Sequence, residues 1–103
     1  MVDDLANKLQ TELDVTTWRD LRAHAARDNL FLVAPDLSLV EVGQALATDQ
    51  ANVVEHWINQ GQVARPTLTQ MEDWEGDLEQ TFQCLIISPF VLAQLPGDPA
   101  QAN

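Results

Sequence analysis

The sequence predicts an α+β fold with a winged-helix-like core: a small three-stranded sheet, an extra N-terminal helix and a helix in place of the wing loop. Three observations lead to this prediction. Residues 36–65 have the pattern of two short helices, a tight turn and the start of a strand. An unbroken apolar run at residues 30–34 precedes them, and a segment ending in two isoleucines, residues 82–87, follows. In such a fold, segment 30–34 pairs with segment 82–87.

The length and composition of the chain indicate one domain. Its 103 residues can build a single modest core, and 46% of them are hydrophobic. We therefore predict one globular domain over residues 1–95. Residues 96–103, PGDPAQAN, have low complexity and predict a flexible C-terminal tail.

Two helices are predicted before the first strand. The first runs over residues 3–13, where leucines recur every four residues. Val15 and Thr16 are interpreted as a joint. Thr17 and Asp20 have the spacing of a capping box, which predicts that the second helix begins there and continues to about residue 27.

The central helix pair has recognisable start and stop signals. Ser38 and Glu41 form a capping-box pattern at the first helix. Thr48 or Asp49 is predicted to cap the second helix, and Gly61 stands where a helix requires a left-handed residue to end. A short strand is predicted to follow at residues 62–65.

The last third of the chain is predicted to contain a helix, a strand and a final helical turn. Thr67 with Gln70 has capping-box spacing for a helix that ends near Gly76, and Thr69 with Glu72 offers the same spacing two residues later. The strand covers residues 82–87. Because serine caps helices and proline favours their first position, Ser88-Pro89 predicts that residues 90–95 are helical.

The charge of the chain excludes several partners. Acidic residues number 16 and basic residues 5, so the formal net charge is -11. This charge repels nucleic-acid phosphates and anionic membranes. The sequence has no apolar run of membrane length and no signal-peptide pattern at its start. Its single cysteine, Cys84, cannot form an internal disulfide, so we predict a cytoplasmic protein. We also predict that the protein holds no cofactor.

The helix pair nevertheless raises the question of DNA recognition. The second helix of such a unit enters the major groove, and here it would present Gln50, Asn52, Glu55 and His56. Phosphate contacts dominate the affinity of such proteins, yet residues 36–62 contain no Lys or Arg. A DNA-binding transcriptional regulator is therefore the alternative function. We expect the protein alone not to bind duplex DNA.

An acidic segment lies between the last two predicted strands. Its acids are Glu72, Asp73, Glu75, Asp77 and Glu79. The segment lacks the glycine and the final glutamate of a calcium loop, so no metal site is predicted. The simplest interpretation is a solvated, self-repelling face. An acidic surface that mimics nucleic acid or docks on a basic partner is the alternative.

The sequence contains no recognisable catalytic motif. Cys84 lies within an apolar strand, where a thiol is usually inert. His24 and His56 lie on separate helices, and their spacing places neither beside Cys84 or Ser88. We predict that the protein is not an enzyme, and a small enzyme without a known motif is the second alternative.

Apolar residues near the end of the chain suggest an interaction surface. Trp18, Trp57 and Trp74 are first interpreted as core residues, although a partly exposed indole can anchor a partner. Apolar groups that the core cannot cover form a patch of the kind found at interfaces. The predicted partner-binding residues are Trp74, Phe90, Val91, Leu92 and Leu95.

Three segments carry a resemblance to a known family: LFLVAPDLSLVEVGQALATDQANVVEHWINQGQV, MEDW and LIISPFVLAQ. Across roughly residues 17–94 the chain resembles an uncharacterised family of small acidic bacterial proteins, a domain of unknown function that is frequent in cyanobacteria. The resemblance implies a bacterial cytosolic protein and assigns no activity, cofactor or catalytic residue.

Together these observations predict a non-enzymatic protein–protein interaction or regulatory protein on a helix-turn-helix-like scaffold. Because fold does not fix function, the prediction rests on surface chemistry. An acidic surface attracts basic partners, and the apolar residues near the chain end would form the buried centre of the contact. The expected partner is a basic protein or a second copy of the chain as a homodimer.

Overall fold

The computed structural model describes residues 3–95, which form five helices and five strands. In chain order these are α1 (Asp3–Glu12), β1 (Asp14–Thr17), α2 (Trp18–Ala26), β2 (Leu30–Val33), α3 (Leu39–Ala47), α4 (Ala51–Asn59), β3 (Val63–Ala64), α5 (Leu68–Glu75), β4 (Thr81–Ile87) and β5 (Phe90–Gln94). The predicted tail, residues 96–103, lies outside the described residues. Within residues 3–95 no helix is both long enough and apolar enough to span a bilayer.

The α+β class is confirmed, but the predicted three-stranded sheet is wrong. The five strands form one mixed sheet in the order β1-β4-β5-β2-β3. Strand β5 is antiparallel to β4 and parallel to β2. It therefore separates β2 from β4, and the predicted pairing of segments 30–34 and 82–87 does not form.

Strand β5 replaces the helical turn predicted for residues 90–95. Ser88-Pro89 is the two-residue turn of a hairpin between β4 and β5 rather than the start of a helix. The buried residues of β5 face both sides of the sheet, which an interior strand requires. An unbroken apolar run identified β2 correctly, and the run FVLA carries the same signal.

Strand β1, at one edge of the sheet, was predicted to be a joint. It pairs with β4 from Asp14 opposite Cys84 to Thr17 opposite Thr81. The Asp14 carboxylate accepts a hydrogen bond from the backbone N–H of Val15 at 2.8 Å. A charged side chain on an edge strand disfavours the addition of another strand. Helix α2 begins after Thr17, as predicted, but the Thr17 side chain makes no capping bond, so the predicted capping box does not form. Asp20 accepts a hydrogen bond from the Thr16 hydroxyl instead.

The helices cover both faces of the sheet. Helices α1, α3 and α4 pack on one face around Leu39, Val42, Leu85 and Leu92. Helices α2 and α5 pack on the other face, where the apolar side chains include a group of three aromatic rings described below. Residues 3–95 thus form three layers, helix–sheet–helix, with a separate apolar cluster on each face of the sheet.

Candidate protein-binding groove

Three of the five predicted partner-binding residues belong to the core. Leu92 is fully buried, Val91 is 4% exposed and Trp74 is 9% exposed. Val91 and Leu92 lie on the interior strand β5, so one faces each helical layer and neither can reach a partner. The prediction of an exposed patch is wrong for these three residues. Phe90 is half-buried and Leu95 is 45% exposed, so only these two keep surface for a partner.

Trp74 is the centre of an aromatic cluster. Its ring centroid lies 5.2 Å from that of Trp18 and 5.0 Å from that of Phe82. The two contacts are tilted and edge-to-face, which are the favoured arrangements of aromatic rings. This cluster joins α5 to α2 and the sheet, so Trp74 has a structural role.

Two acids of the acidic segment also connect α5 and its following turn to α2. Glu75 accepts a hydrogen bond from the indole N–H of Trp18 at 2.6 Å and another from Arg22 at 3.0 Å. Glu79 pairs with Arg19 at 2.6 Å. The Arg–Glu pairs are largely exposed, so solvent screening leaves each pair only a small contribution to stability.

The remaining three acids of that segment face water. Glu72, Asp73 and Asp77 are exposed. The described residues contain no cluster of three or more histidine, cysteine, aspartate or glutamate side chains that could hold a metal ion. Whether the exposed acids contact a basic partner remains a prediction.

Cys84 has the environment of an unreactive thiol. Burial raises its pKa, and the negative charge of Asp14 adds to the effect. Cys84 lies two residues after Phe82 on β4, so both residues share the side of the sheet that α2 and α5 cover. His56 lies on α4, across the sheet. His24 is half-buried on α2, and Ser88 is exposed in the β4–β5 turn.

We predict that native Cys84 reacts slowly with alkylating reagents. At pH 8 its reaction with iodoacetamide should be roughly tenfold or more slower in the native protein than in urea, because thiolate formation is disfavoured in the fold. Mass spectrometry over time measures both rates. Equal rates would show an accessible thiolate and would favour the enzyme alternative.

Helices α3 and α4, which form the walls of a surface groove, differ in how their first turns are capped. The Ser38 hydroxyl accepts from the N–H of Glu41 at 3.3 Å, so the Ser38 half of the predicted capping box forms at α3. The predicted cap of α4 by Thr48 or Asp49 is wrong: the residue before the helix is Gln50, whose side chain donates to the Thr48 hydroxyl. Asp49 adopts a φ of 57° in the turn, a conformation that Asp tolerates.

The groove between these helices, here called the α4 groove, has an apolar lining. Leu46 of α3, Val54 and Ile58 of α4, and Phe90 of the β4–β5 hairpin contribute to a depression of about 510 Å³. Ile58 is 46% exposed. A groove of this size, walled by two helices and containing exposed aliphatic carbon, is suited to an apolar side chain of another molecule.

Phe90 is held in place at this groove by neighbouring side chains. Its ring meets that of Phe31 edge-on, with centroids 5.5 Å apart. The guanidinium carbon of Arg65 lies 5.4 Å from the centroid of the Phe31 ring, within cation–π distance. The aromatic side of the groove is therefore positioned before any partner arrives.

The charged residues that line the α4 groove are acids. Asp49 and Glu55 contribute to the lining, and residues 36–62 contain no Lys or Arg. Gln50, Asn52, Glu55 and His56, the residues considered for DNA recognition, are all exposed. The groove thus combines an apolar centre with a negatively charged margin.

Ile58 was not among the predicted partner-binding residues, although it is one of four large apolar residues of α4. Trp57 is buried, but Val53 and Ile58, at the two edges of the apolar arc of α4, are 38% and 46% exposed. A helix of nine residues with apolar side chains at 53, 54, 57 and 58 has a wider apolar arc than the sheet covers. The width of this apolar arc was the sequence signal that could have identified Ile58 as a surface residue.

A second depression lies on the opposite face of the sheet. It has a volume of about 540 Å³, and its walls include Leu32, Ala64, Ala93 and Leu95. Thr67 and Gln70 at the start of α5 add polar atoms, but these two side chains are already paired with each other's backbone in the predicted capping box. The charged residue in this lining is Arg65 and no acid contributes to it, so this depression lacks the acidic margin of the α4 groove.

The geometry defines a small three-layer α+β protein with an apolar groove whose charged lining residues are acids. Comparison with sequence families adds that the chain belongs to DUF2288, a family described as a protein of unknown function, whose model matches residues 4–95. The resemblance seen in the sequence is thereby confirmed as membership of an uncharacterised family.

One solved structure resembles the chain over most of its length. It is the NMR solution structure of PA1075 from Pseudomonas aeruginosa, with a TM-score of 0.77 and 30% sequence identity. The match covers 91% of this chain and 86% of that protein. The search of curated proteins finds no match.

Proposed function

We propose that this protein is a non-enzymatic interaction protein and that its partner binds in the α4 groove. The observation that carries the proposal is the exposed Ile58, which together with Val54, Leu46 and Phe90 lines a groove between two helices. Exposed aliphatic carbon gains free energy when a partner removes it from water, at about 25 cal/mol per Å². The role follows from this surface and not from the fold.

The same surface argues against the transcriptional-regulator alternative. On a helix-turn-helix-like scaffold, α4 would be the helix that reads DNA. It exposes Val53 and Ile58 together with Glu55, and it lacks Lys and Arg. Without basic side chains there is little counterion release to drive binding to a duplex. The absence of duplex binding by the protein alone remains our prediction.

The proposal is tested by replacing Ile58 with glutamine. Ile58→Gln keeps a good helix former but removes the exposed aliphatic group, so partner recovery should fall about tenfold, as for an interface residue worth more than 1 kcal/mol. Recovery is measured by quantitative mass spectrometry after affinity capture from the native cell. Crosslinks from the recovered partner should map to α3 and α4.

The matched control is Leu68→Gln. Leu68 is 69% exposed, more than Ile58, and it begins α5 on the opposite side of the sheet. The control should capture the same partners as the unmodified chain, and thermal unfolding should confirm that both variants are folded. Equal recovery by the two variants would refute binding in the α4 groove.

A further inference from the structure

We infer that the occupant of the α4 groove is an amphipathic helix whose apolar side chains are flanked by Lys or Arg. This inference rests on the proposed function, and it names the chemistry of the partner. Three properties of the groove support it: the elements that form its walls, its length, and the sign of its charge.

The walls favour a helix over an extended strand. The groove is lined by α3, α4 and Phe90, the first residue of β5. The backbone N–H and C=O groups within a helix are paired with each other, so helical walls cannot form β-sheet hydrogen bonds with an incoming strand. A helical partner pairs its own backbone and needs only side-chain contacts.

The length of the groove fits about two turns of such a helix. Its lining follows α4 from Ala51 to Asn59, which are nine residues and span about 13 Å. Leu46, Val54, Ile58 and Phe90 supply the apolar contacts along that length. A partner helix would meet them with apolar side chains at positions i, i+3 or i+4, and i+7.

The charge of the groove selects a basic partner. Asp49 and Glu55 contribute to the lining, no Lys or Arg does, and the whole chain carries a net charge of -11. Complementary charges speed association and exclude like-charged partners. A second copy of the chain would bring the same acids to the contact and would be repelled over long distances. The partner's basic residues are expected near Asp49 and Glu55, away from Arg65 beside Phe31.

The experiment uses three synthetic 16-residue helical peptides and the full chain. The first peptide has leucines at helical spacing and lysines elsewhere. The second replaces the lysines by glutamates, and the third replaces the leucines by serines. Fluorescence anisotropy at low salt should show that the lysine–leucine peptide binds at least tenfold more tightly than either of the others, and that added salt weakens its binding.

Paired charge variants separate a specific site from general attraction to an acidic protein. Asp49→Asn with Glu55→Gln removes two acids from the groove, and asparagine tolerates the backbone conformation of residue 49. Glu72→Asn with Asp73→Asn removes two exposed acids from α5 and changes the net charge by the same amount. We expect the groove variant to weaken peptide binding about threefold or more and the α5 variant to have less effect.

Failure of this inference is distinguishable from failure of the proposed function. Equal binding of the three peptides, while Ile58→Gln still loses its native partner, would refute the basic helix and leave the groove as the site. Greater weakening by the α5 variant would place the basic contact on α5 and refute the inference. Sedimentation that shows a dimer strengthened by salt and lost in Ile58→Gln would identify a second copy as the occupant, contrary to the inference.

Discussion

Replacing Leu92 with alanine should lower the free energy of unfolding by about 2–5 kcal/mol. Leu92 is fully buried on the interior strand β5, in the apolar cluster beneath α1, α3 and α4. The substitution removes three methyl or methylene equivalents and leaves a cavity that packed neighbours can fill only partly. Urea unfolding followed by tryptophan fluorescence measures the change.

Leu95→Ala is the matched control for this prediction. It makes the same chemical change one residue beyond β5, where the side chain is 45% exposed, so its cost should be below about 1 kcal/mol. Comparable losses from both variants would show that Leu92 is not the packed core residue described here. A Leu92 variant is therefore a stability probe and unsuitable for testing partner binding.

Replacing Gln94 with leucine should lower the free energy of unfolding by about 1–3 kcal/mol. Gln94 is 8% exposed, and its Nε2 donates to the carbonyl oxygens of Ala34 and Leu37, both at 2.7 Å. These bonds hold the segment between β2 and α3 against β5. Leucine fills a similar volume but leaves those carbonyls without this donor.

Gln83→Leu provides the control for the Gln94 prediction. Gln83 lies directly opposite Gln94 on β4 and is exposed, so the same substitution removes no buried hydrogen bond. Thermal unfolding should therefore show a lower Tm for the Gln94 variant and a nearly unchanged Tm for the Gln83 variant. An unchanged Tm in both would mean that water replaces the amide at no cost.

The sequence by itself determined the elements whose signals are local. The apolar run of β2, the Ser38 hydroxyl at α3 and the Thr67–Gln70 capping box each depend on contacts within a few residues, and each was predicted correctly. Gly61, with a φ of 75°, ends α4 as predicted. Family membership was likewise legible in the sequence.

Only the tertiary structure decided the strands at β1 and β5 and the role of the residues on them. Ser88-Pro89 carries a helix-start signal, but pairing of β5 with both β2 and β4 supplies more hydrogen bonds and burial than a final helical turn could. Strand β1 is too short for an alternation of apolar and polar residues to predict it. It forms because its backbone pairs with β4.

The candidate site followed the same division. The sequence identified Phe90 and the absence of Lys and Arg around α4. It predicted the acidic surface at residues 72–79, whereas the acids that line the groove are Asp49 and Glu55. It could not tell which apolar residues the sheet would cover. Burial depends on neighbours that are distant in sequence. In the folded chain Trp74, Val91 and Leu92 are buried in the core, and Ile58 remains at the surface.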